Sequence, residues 1–442
     1  MNPNHKLINH FKLLAIACTL SACGGGGGGN DLHFNSTLNA NVVGLEETSG
    51  LFLKVNDKEI EPINKPGTAA LASDLPVGNS FNVSIQKQPG DFQWCSLQNN
   101  VGVISENGNM VDVTCATSGV QVSTIAKGVF NVTRSMVMDQ VGNLYVSDND
   151  YVVRKISPDG TIDLYTGRQG IIGTTNGSKG TATISLNLGG MAIDKDGIIY
   201  FTDQGGLIRK IEKDGSITDF ITMSRDRPDF FNVGGRNTSL KGLAFDSAGD
   251  LYVADDGQRV VYKIKKSDKT ISIFAGTPYS AGQVYAIANP VPKDGAVGVG
   301  YLNSMWGLAI DKDDNLHVTD ATHKYRKIDR AGVISTPATF DLPAGTTIRQ
   351  VTVDKYKNIY LSGITPSITS PITSAPIIKL TPNGKISMLA GKSETLAGYA
   401  DGVNSEFMLS NEVRGLILDQ NGHLIISDAN NRAIRRMIPA AP

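Results

Sequence analysis

One pattern returns six times after residue 118 and governs what this chain can fold into. A short repeat cannot bury its own apolar face, so repeated units must pack on one another. Each unit opens with an apolar strand that ends in aspartate: Met136-Val137-Met138-Asp139, Met191-Ala192-Ile193-Asp194, Leu243-Ala244-Phe245-Asp246, Leu308-Ala309-Ile310-Asp311, Val351-Thr352-Val353-Asp354 and Leu416-Ile417-Leu418-Asp419. A tight turn rich in Gly, Asn and Asp follows, as in Asp139-Gln140-Val141-Gly142-Asn143, which suits a hairpin that needs positive φ. The second strand, Leu144-Tyr145-Val146-Ser147-Asp148 in the first unit, has counterparts ending at Asp203, Asp255, Asp320 and Asp428. The third is basic and alternating: Val153-Arg154-Lys155-Ile156, Ile208-Arg209-Lys210-Ile211 and Ile434-Arg435-Arg436-Met437, with Arg326 in the fourth unit. A Pro158-Asp159-Gly160 type of turn leads to a fourth strand such as Ile271-Ser272-Ile273-Phe274-Ala275-Gly276. Four antiparallel strands per unit make a propeller blade.

The last unit stops at Ile438-Pro439, after its third strand. A fourth-strand sequence, Val120-Gln121-Val122-Ser123-Thr124-Ile125-Ala126-Lys127-Gly128, stands instead before the first unit. Pairing the two ends shuts the ring and removes an open sheet edge that would invite aggregation. The expectation is an all-β chain with a six-bladed β-propeller over 119–442. Forty-eight glycines and few helix-like periodic stretches agree with it.

With Asp-x-x-Gly-Asn, Leu-Tyr-Val-x-Asp, Ile-Arg-Lys-Ile and a closing Ala-Gly recurring, residues 119–442 resemble NHL-repeat propellers. Two units depart from the pattern. The fifth has Leu361-Ser362-Gly363 where aspartate belongs and lacks the arginine, and the third puts Tyr262 at the arginine position.

Ahead of the repeat, Lys6 and Lys12 precede an apolar run, 13–20, that ends in Leu20-Ser21-Ala22-Cys23. The run is too short to span a bilayer and reads as an export signal over 1–22. Leu-Ser-Ala-Cys resembles the lipobox of bacterial lipoproteins, which implies cleavage before Cys23, lipidation of that cysteine and a membrane anchor; plain signal cleavage with a free thiol is the alternative. Because Gly24 follows the cysteine, the resemblance implies an outer-membrane lipoprotein in the cell envelope, facing periplasm or cell surface. Residues 23–31, with six glycines, form a flexible tether.

Short alternating runs in 32–118 indicate a small β-sandwich, similar to the immunoglobulin-like spacers that precede propellers in bacterial surface proteins. Signal removal takes Cys18 and lipidation takes Cys23, which leaves Cys95 and Cys115. An even pair in an exported chain reads as a disulfide, worth roughly 3 kcal/mol for a loop of this size; two buried thiols are the alternative.

Lys+Arg 41 against Asp+Glu 42 gives a net charge of -1, with no long basic run, so nucleic acid is not an expected partner. Chain direction puts the first-to-second and third-to-fourth turns on one face. The opposite face carries the long loops near 168–187, 277–304 and 392–412, together with the insertion 362–376. Binding usually lives on long loops over a rigid scaffold, so a protein or glycan partner is expected there, with Tyr301, Trp306, Tyr399 and Phe407 as candidate contacts.

Catalytic propellers hold a metal in the central channel, and the histidines His317, His323 and His423 do not fall where three would converge. Asp311-Lys312-Asp313-Asp314-Asn315 copies the start of an EF-hand loop but has Leu316 at the glycine position and reads as a hairpin turn. The recurring Asp148, Asp203, Asp255, Asp320 and Asp428, with Arg154, Arg209, Arg326 and Arg435, read as structural because they recur around the ring. No cofactor or metal ligand set is expected, though calcium stays open. The leading expectation is a tethered binding propeller; the alternative is a divalent-metal-dependent hydrolase or lyase of the lactonase-like type.

Overall fold

The computed structural model describes residues 35–46, 50–90, 92–185, 189–229, 237–278, 292–320, 324–340, 342, 345–366, 373–391 and 396–442. The expected signal, Cys23 and its tether lie outside these residues. Among the described residues there are eight sheets and a single helical turn, Met223–Asp226. No described helix is long and apolar enough to cross a membrane.

Two sheets come first. One orders Gly67–Pro76, Asn35–Val43, Asn109–Thr117 and Gln93–Gln98; the other orders Lys58–Glu59, Phe52–Val55, Ser80–Lys87 and Val101–Val103. Strict alternation in Asn35–Val43 sends Leu38, Ala40 and Val42 inward, where they share one core with Leu53, Phe81 and Val83 of the other sheet. Each buried Leu, Val or Phe side chain among them stabilises the fold by about 1.5–3 kcal/mol. Cys95 and Cys115 face each other in register on paired antiparallel strands, with Cα atoms 4.0 Å apart, and are joined in a disulfide.

Of the other six sheets, five are four-stranded antiparallel meanders and the last is a five-stranded antiparallel sheet that takes in Gly119–Lys127 and Gly402–Val403; together they are arranged as a β-propeller. Their first strands are Thr133–Met138, Met191–Ile193, Leu240–Phe245, Met305–Ile310, Thr347–Val353 and Val413–Leu418, and all six line one central cavity of about 370 Å³. They touch in chain order, and the last returns to the first. Glycines permit the close approach. A Cβ on Gly242 would come within 2.6 Å of Leu308 N, and one on Gly415 within 2.5 Å of the Arg134 carbonyl oxygen. The second strands Leu144–Asp148, Leu251–Asp255, Leu316–Asp320 and Leu424–Asp428 are buried throughout, because neighbouring sheets cover both of their faces.

In the last sheet, Gly119–Lys127 pairs with Ala433–Ala440 from Lys127↔Ala433 to Gly119↔Ala440. Ser118 alone separates this strand from the last strand of the sandwich. The sandwich docks on the face of the short turns. Glu46 receives Lys379 at 2.8 Å, both buried, and Lys385 at 3.3 Å, while Phe92 packs edge-on to Tyr360 at 5.8 Å.

Candidate functional site

The turn aspartates are structural. Asp311 Oδ1 accepts the N–H groups of Asp313 and Asn315, each at 2.9 Å, and Asp139 does the same for Val141 and Asn143. The run that copies an EF-hand is therefore a hairpin turn, its carboxylate turned onto its own backbone. His317 is held between Asp311 (3.2 Å) and the Tyr325 hydroxyl, and burial pulls its pKa down. His423 pairs with Asp419, and His323 lies outside the described residues. Among the described residues, no three His, Cys, Asp or Glu side chains gather as a metal set.

The recurring Asp–Arg pairs meet in four sheets, buried except that Arg154 is partly exposed: Arg154–Asp148 at 3.3 Å, Arg209–Asp203 at 2.9 Å, Arg326–Asp320 at 3.2 Å and Arg435–Asp428 at 3.0 Å. Three of the arginines do more. Arg209 also reaches Asn176 at 3.0 Å, Arg326 reaches Asp294 at 2.8 Å and Arg435 reaches Asp401 at 2.7 Å. Those three residues belong to the long loops, whose adjacent glycines pair with an outermost strand: Gly177 with Ile217, Gly295 with Ile334 and Gly402 with Val122. These loop segments therefore run along the flanks of the second, fourth and sixth sheets and cover their edges, so the described parts of these loops carry architecture.

The two exceptional sheets are informative. The fifth has lost both halves of the pair together, with Gly363 and Ile378 in their places, and a Cβ at Gly363 would meet the Thr347 carbonyl oxygen at 1.9 Å. The third keeps Asp255 without an arginine. Burial raises its carboxyl to about 6, although it accepts the N–H groups of Ser239 at 2.8 Å and Gln258 at 3.1 Å.

The four candidate aromatics scatter. Phe407 is only 4% exposed and packs in the core with Leu409 and Val413, which corrects its assignment to a binding face. Tyr301 is half-buried, and its carbonyl accepts from Arg326. Tyr399 sits at the outer edge of the last sheet, bonded to Thr124 at 2.8 Å with Lys127 over its ring. Trp306 alone lies at the channel mouth.

Around Trp306 is a cluster that the sequence reading missed. Five residues ahead of the turn aspartates, the six units carry Arg134, Gly189, Lys241, Trp306, Arg349 and Arg414. In five first strands the ladder breaks at this position, between Thr133/Met136, Leu240/Leu243, Met305/Leu308, Ile348/Gln350 and Val413/Gly415. A bulge re-aims the side chain it contains. Buried hydroxyls fix the backbone there. Thr202 accepts from Gly190 N–H at 2.9 Å and donates to the Lys241 carbonyl at 3.1 Å; Thr319 repeats this between Gly307 and the Arg349 carbonyl.

Lys241 Nζ lies 4.5 Å and the Arg349 guanidinium 4.1 Å from the Trp306 ring centre, and Arg414 pairs with Glu412 at 2.8 Å. Burial first, then the charges of Arg414 and Arg349, lower the Arg134 pKa; Glu412 opposes them. Lys241 and Arg349 are lowered for the same reason, burial leading in each. Cations packed this closely favour an anion and disfavour a second cation.

No family model matches the chain. Among curated proteins, mouse teneurin-3 is 28% identical over 227 residues, a stretch that takes in 46% of this chain and 8% of that much longer protein. Among solved structures, a protein of unknown function from Bacteroides thetaiotaomicron superposes with a TM-score of 0.51 at 15% identity, over 88% of this chain and 90% of that one. An auxiliary nutrient binding protein from Bacteroides ovatus superposes with a TM-score of 0.49 at 12% identity, over 88% and 91%. At 15% identity the likeness to the first of these solved structures is one of fold alone, and that fold is all-β and propeller-like.

Proposed function

We propose that the chain is an extracytoplasmic lipoprotein, lipidated at Cys23 and held at the outer membrane. Its six-bladed NHL-type propeller is a platform that binds a protein or glycan partner on the face away from the sandwich. The observation that carries this reading is the docking of the sandwich on the short-turn face through Glu46, Lys379 and Lys385, which leaves the opposite channel mouth uncovered by the described residues of that domain. A photo-crosslinker at exposed Gln204, on the loop face, is expected to capture an envelope component. The same group at exposed Gln140, among the short turns, is expected to capture none. Capture from Gln140 alone would defeat the choice of face. The anchor is tested separately: Cys23→Ala should move the protein from the detergent phase to the aqueous phase of a phase-separating detergent.

The lactonase-like alternative is weakened by the charge at the mouth. A divalent ion entering from the loop face would meet Arg134, Lys241, Arg349 and Arg414, with Glu412, Asp256 and Asp255 as the opposing carboxylates that act on them. Activity on lactones that is abolished by a chelator would restore that reading.

A further inference from the structure

Arg134, Lys241 and Arg349 come from the first, third and fifth sheets, and so approach the channel mouth from alternate positions around the ring. Among the described residues none of the three forms a salt bridge, whereas Arg414 is committed to Glu412. Arg134 Nε donates to the neutral amide of Asn149; Lys241 and Arg349 lie over Trp306; and Arg349 Nε is buried without a hydrogen-bond partner. Lys241 and Arg349 share the Trp306 ring, and their charges and that of Arg134 act on one another, opposed by Glu412 at the two arginines and by Asp256 and Asp255 at Lys241. Each of the three cations is half-buried and sits at a bulge, immediately ahead of a residue that lines the central cavity: Ser135, Gly242 and Gln350. Half-buried cations facing one another without carboxylates in contact are unfavourable unless something neutralises them.

We propose that this mouth is a binding site for a small ligand carrying a multiply charged oxyanion, phosphate or polycarboxylate, gripped by Arg134, Lys241 and Arg349 beside Trp306. Guanidinium groups present paired N–H donors that match such oxygens, and Lys241 adds a point charge. The inference rests on the reading that the loop face is the working face, and narrows it to one class of ligand.

The test is calorimetric titration of the purified full chain with sodium phosphate and with citrate at constant ionic strength, glucose serving as the neutral control. Saturable one-to-one binding of either anion is expected, and which one binds assigns the class. Affinity should fall about tenfold or more in Lys241→Gln and in Arg349→Gln, by the loss of one charge-assisted hydrogen bond, and should be unchanged in Arg225→Gln, an exposed arginine outside the site. Anion-dependent quenching of Trp306 fluorescence in a Trp94→Phe background gives a second readout should one of the variants fold poorly. Absence of saturable binding, or equal affinity in wild type and Lys241→Gln, overturns the proposal. If anions fail while Gln204 still crosslinks an envelope partner, the platform reading stands and the oxyanion site alone falls.

Discussion

The second, fourth and sixth sheets differ from the first, third and fifth in a consistent way. Each of the even sheets receives a long inbound segment, clamped by a buried arginine through Asn176, Asp294 or Asp401 and paired to its outermost strand. The odd sheets receive shorter segments, and it is they that contribute the three cations at the mouth without ion-pair partners among the described residues: Arg134, Lys241 and Arg349. At the same column the even sheets give Gly189, Trp306 and an arginine already neutralised by Glu412. Alternate sheets thus divide the work. Long loops carry edge protection, and the ligand chemistry sits where the connections are short, the reverse of what loop length alone leads one to expect.

The largest effect should come from cutting a clamp. Arg326→Met or Arg435→Met removes a fully buried guanidinium from two carboxylates at once, one of them fully buried as well, and is expected to destabilise the propeller by about 3–5 kcal/mol. Arg154→Met should cost about 1–2 kcal/mol, since Arg154 is partly exposed, pairs among the described residues with Asp148 alone, and leaves that carboxylate the N–H groups of Asn131 and Val132. Denaturant midpoints followed by Trp306 fluorescence in a Trp94→Phe background measure both. Equal losses would erase the distinction between even and odd sheets.

Asp255 sharpens the comparison from the odd side. Its carboxyl titrates at about 6 in the fold against 3.8 when unfolded, because burial dominates. The folded state therefore binds the extra proton between those values, so its contribution to stability is complete below the lower value and is lost as pH rises through the upper one. The full span is roughly 3 kcal/mol. Asp255→Asn should flatten the stability profile between pH 4 and pH 7 by about that amount, leaving the molecule more stable than wild type at neutral pH. An unchanged slope would mean that the third sheet tolerates an ionised Asp255 without its arginine.

Much of the fold was legible because it is written in periodic apolar strands: the order of strands and the pairing of 120–128 with the chain end follow from alternation and turn residues, while the Cys95–Cys115 bridge follows from the even pair of cysteines left once Cys18 and Cys23 are set aside. The mouth was not legible. Its column mixes Arg, Gly, Lys and Trp, so it has no repeat signature, and its side chains reach the channel through bulges that break the two-residue alternation on which strand reading depends. Aligning the units five residues upstream of each turn aspartate would have exposed four cations in six places. Phe407 went astray for a different reason: a loop aromatic has the same sequence appearance whether it faces a partner or, as here, plugs a core.

A smaller effect, expected at the buried Glu46, tests how far the odd fifth sheet has exchanged its missing clamp for the sandwich. Glu46→Gln leaves the charge of Lys379 buried at the docking surface without its carboxylate and should cost about 1–3 kcal/mol. The loss is read as an earlier change in the Trp94 signal, which reports on the sandwich, in a Trp306→Phe background. An unmoved Trp94 transition would mean that the sandwich holds to the fifth sheet by apolar contact alone.

The smallest effect separates two ways of holding an even-sheet loop. Asp294 is half exposed, so Asp294→Asn should change global stability by less than about 1 kcal/mol. If charge on Arg326 is what secures the segment, amide exchange should quicken at Gly295 and Gly300, whose N–H groups bond to Ile334 and Ala296. If exchange there is unaltered, backbone pairing to the outermost strand is sufficient, and the arginine clamps serve the buried aspartates of the second strands instead.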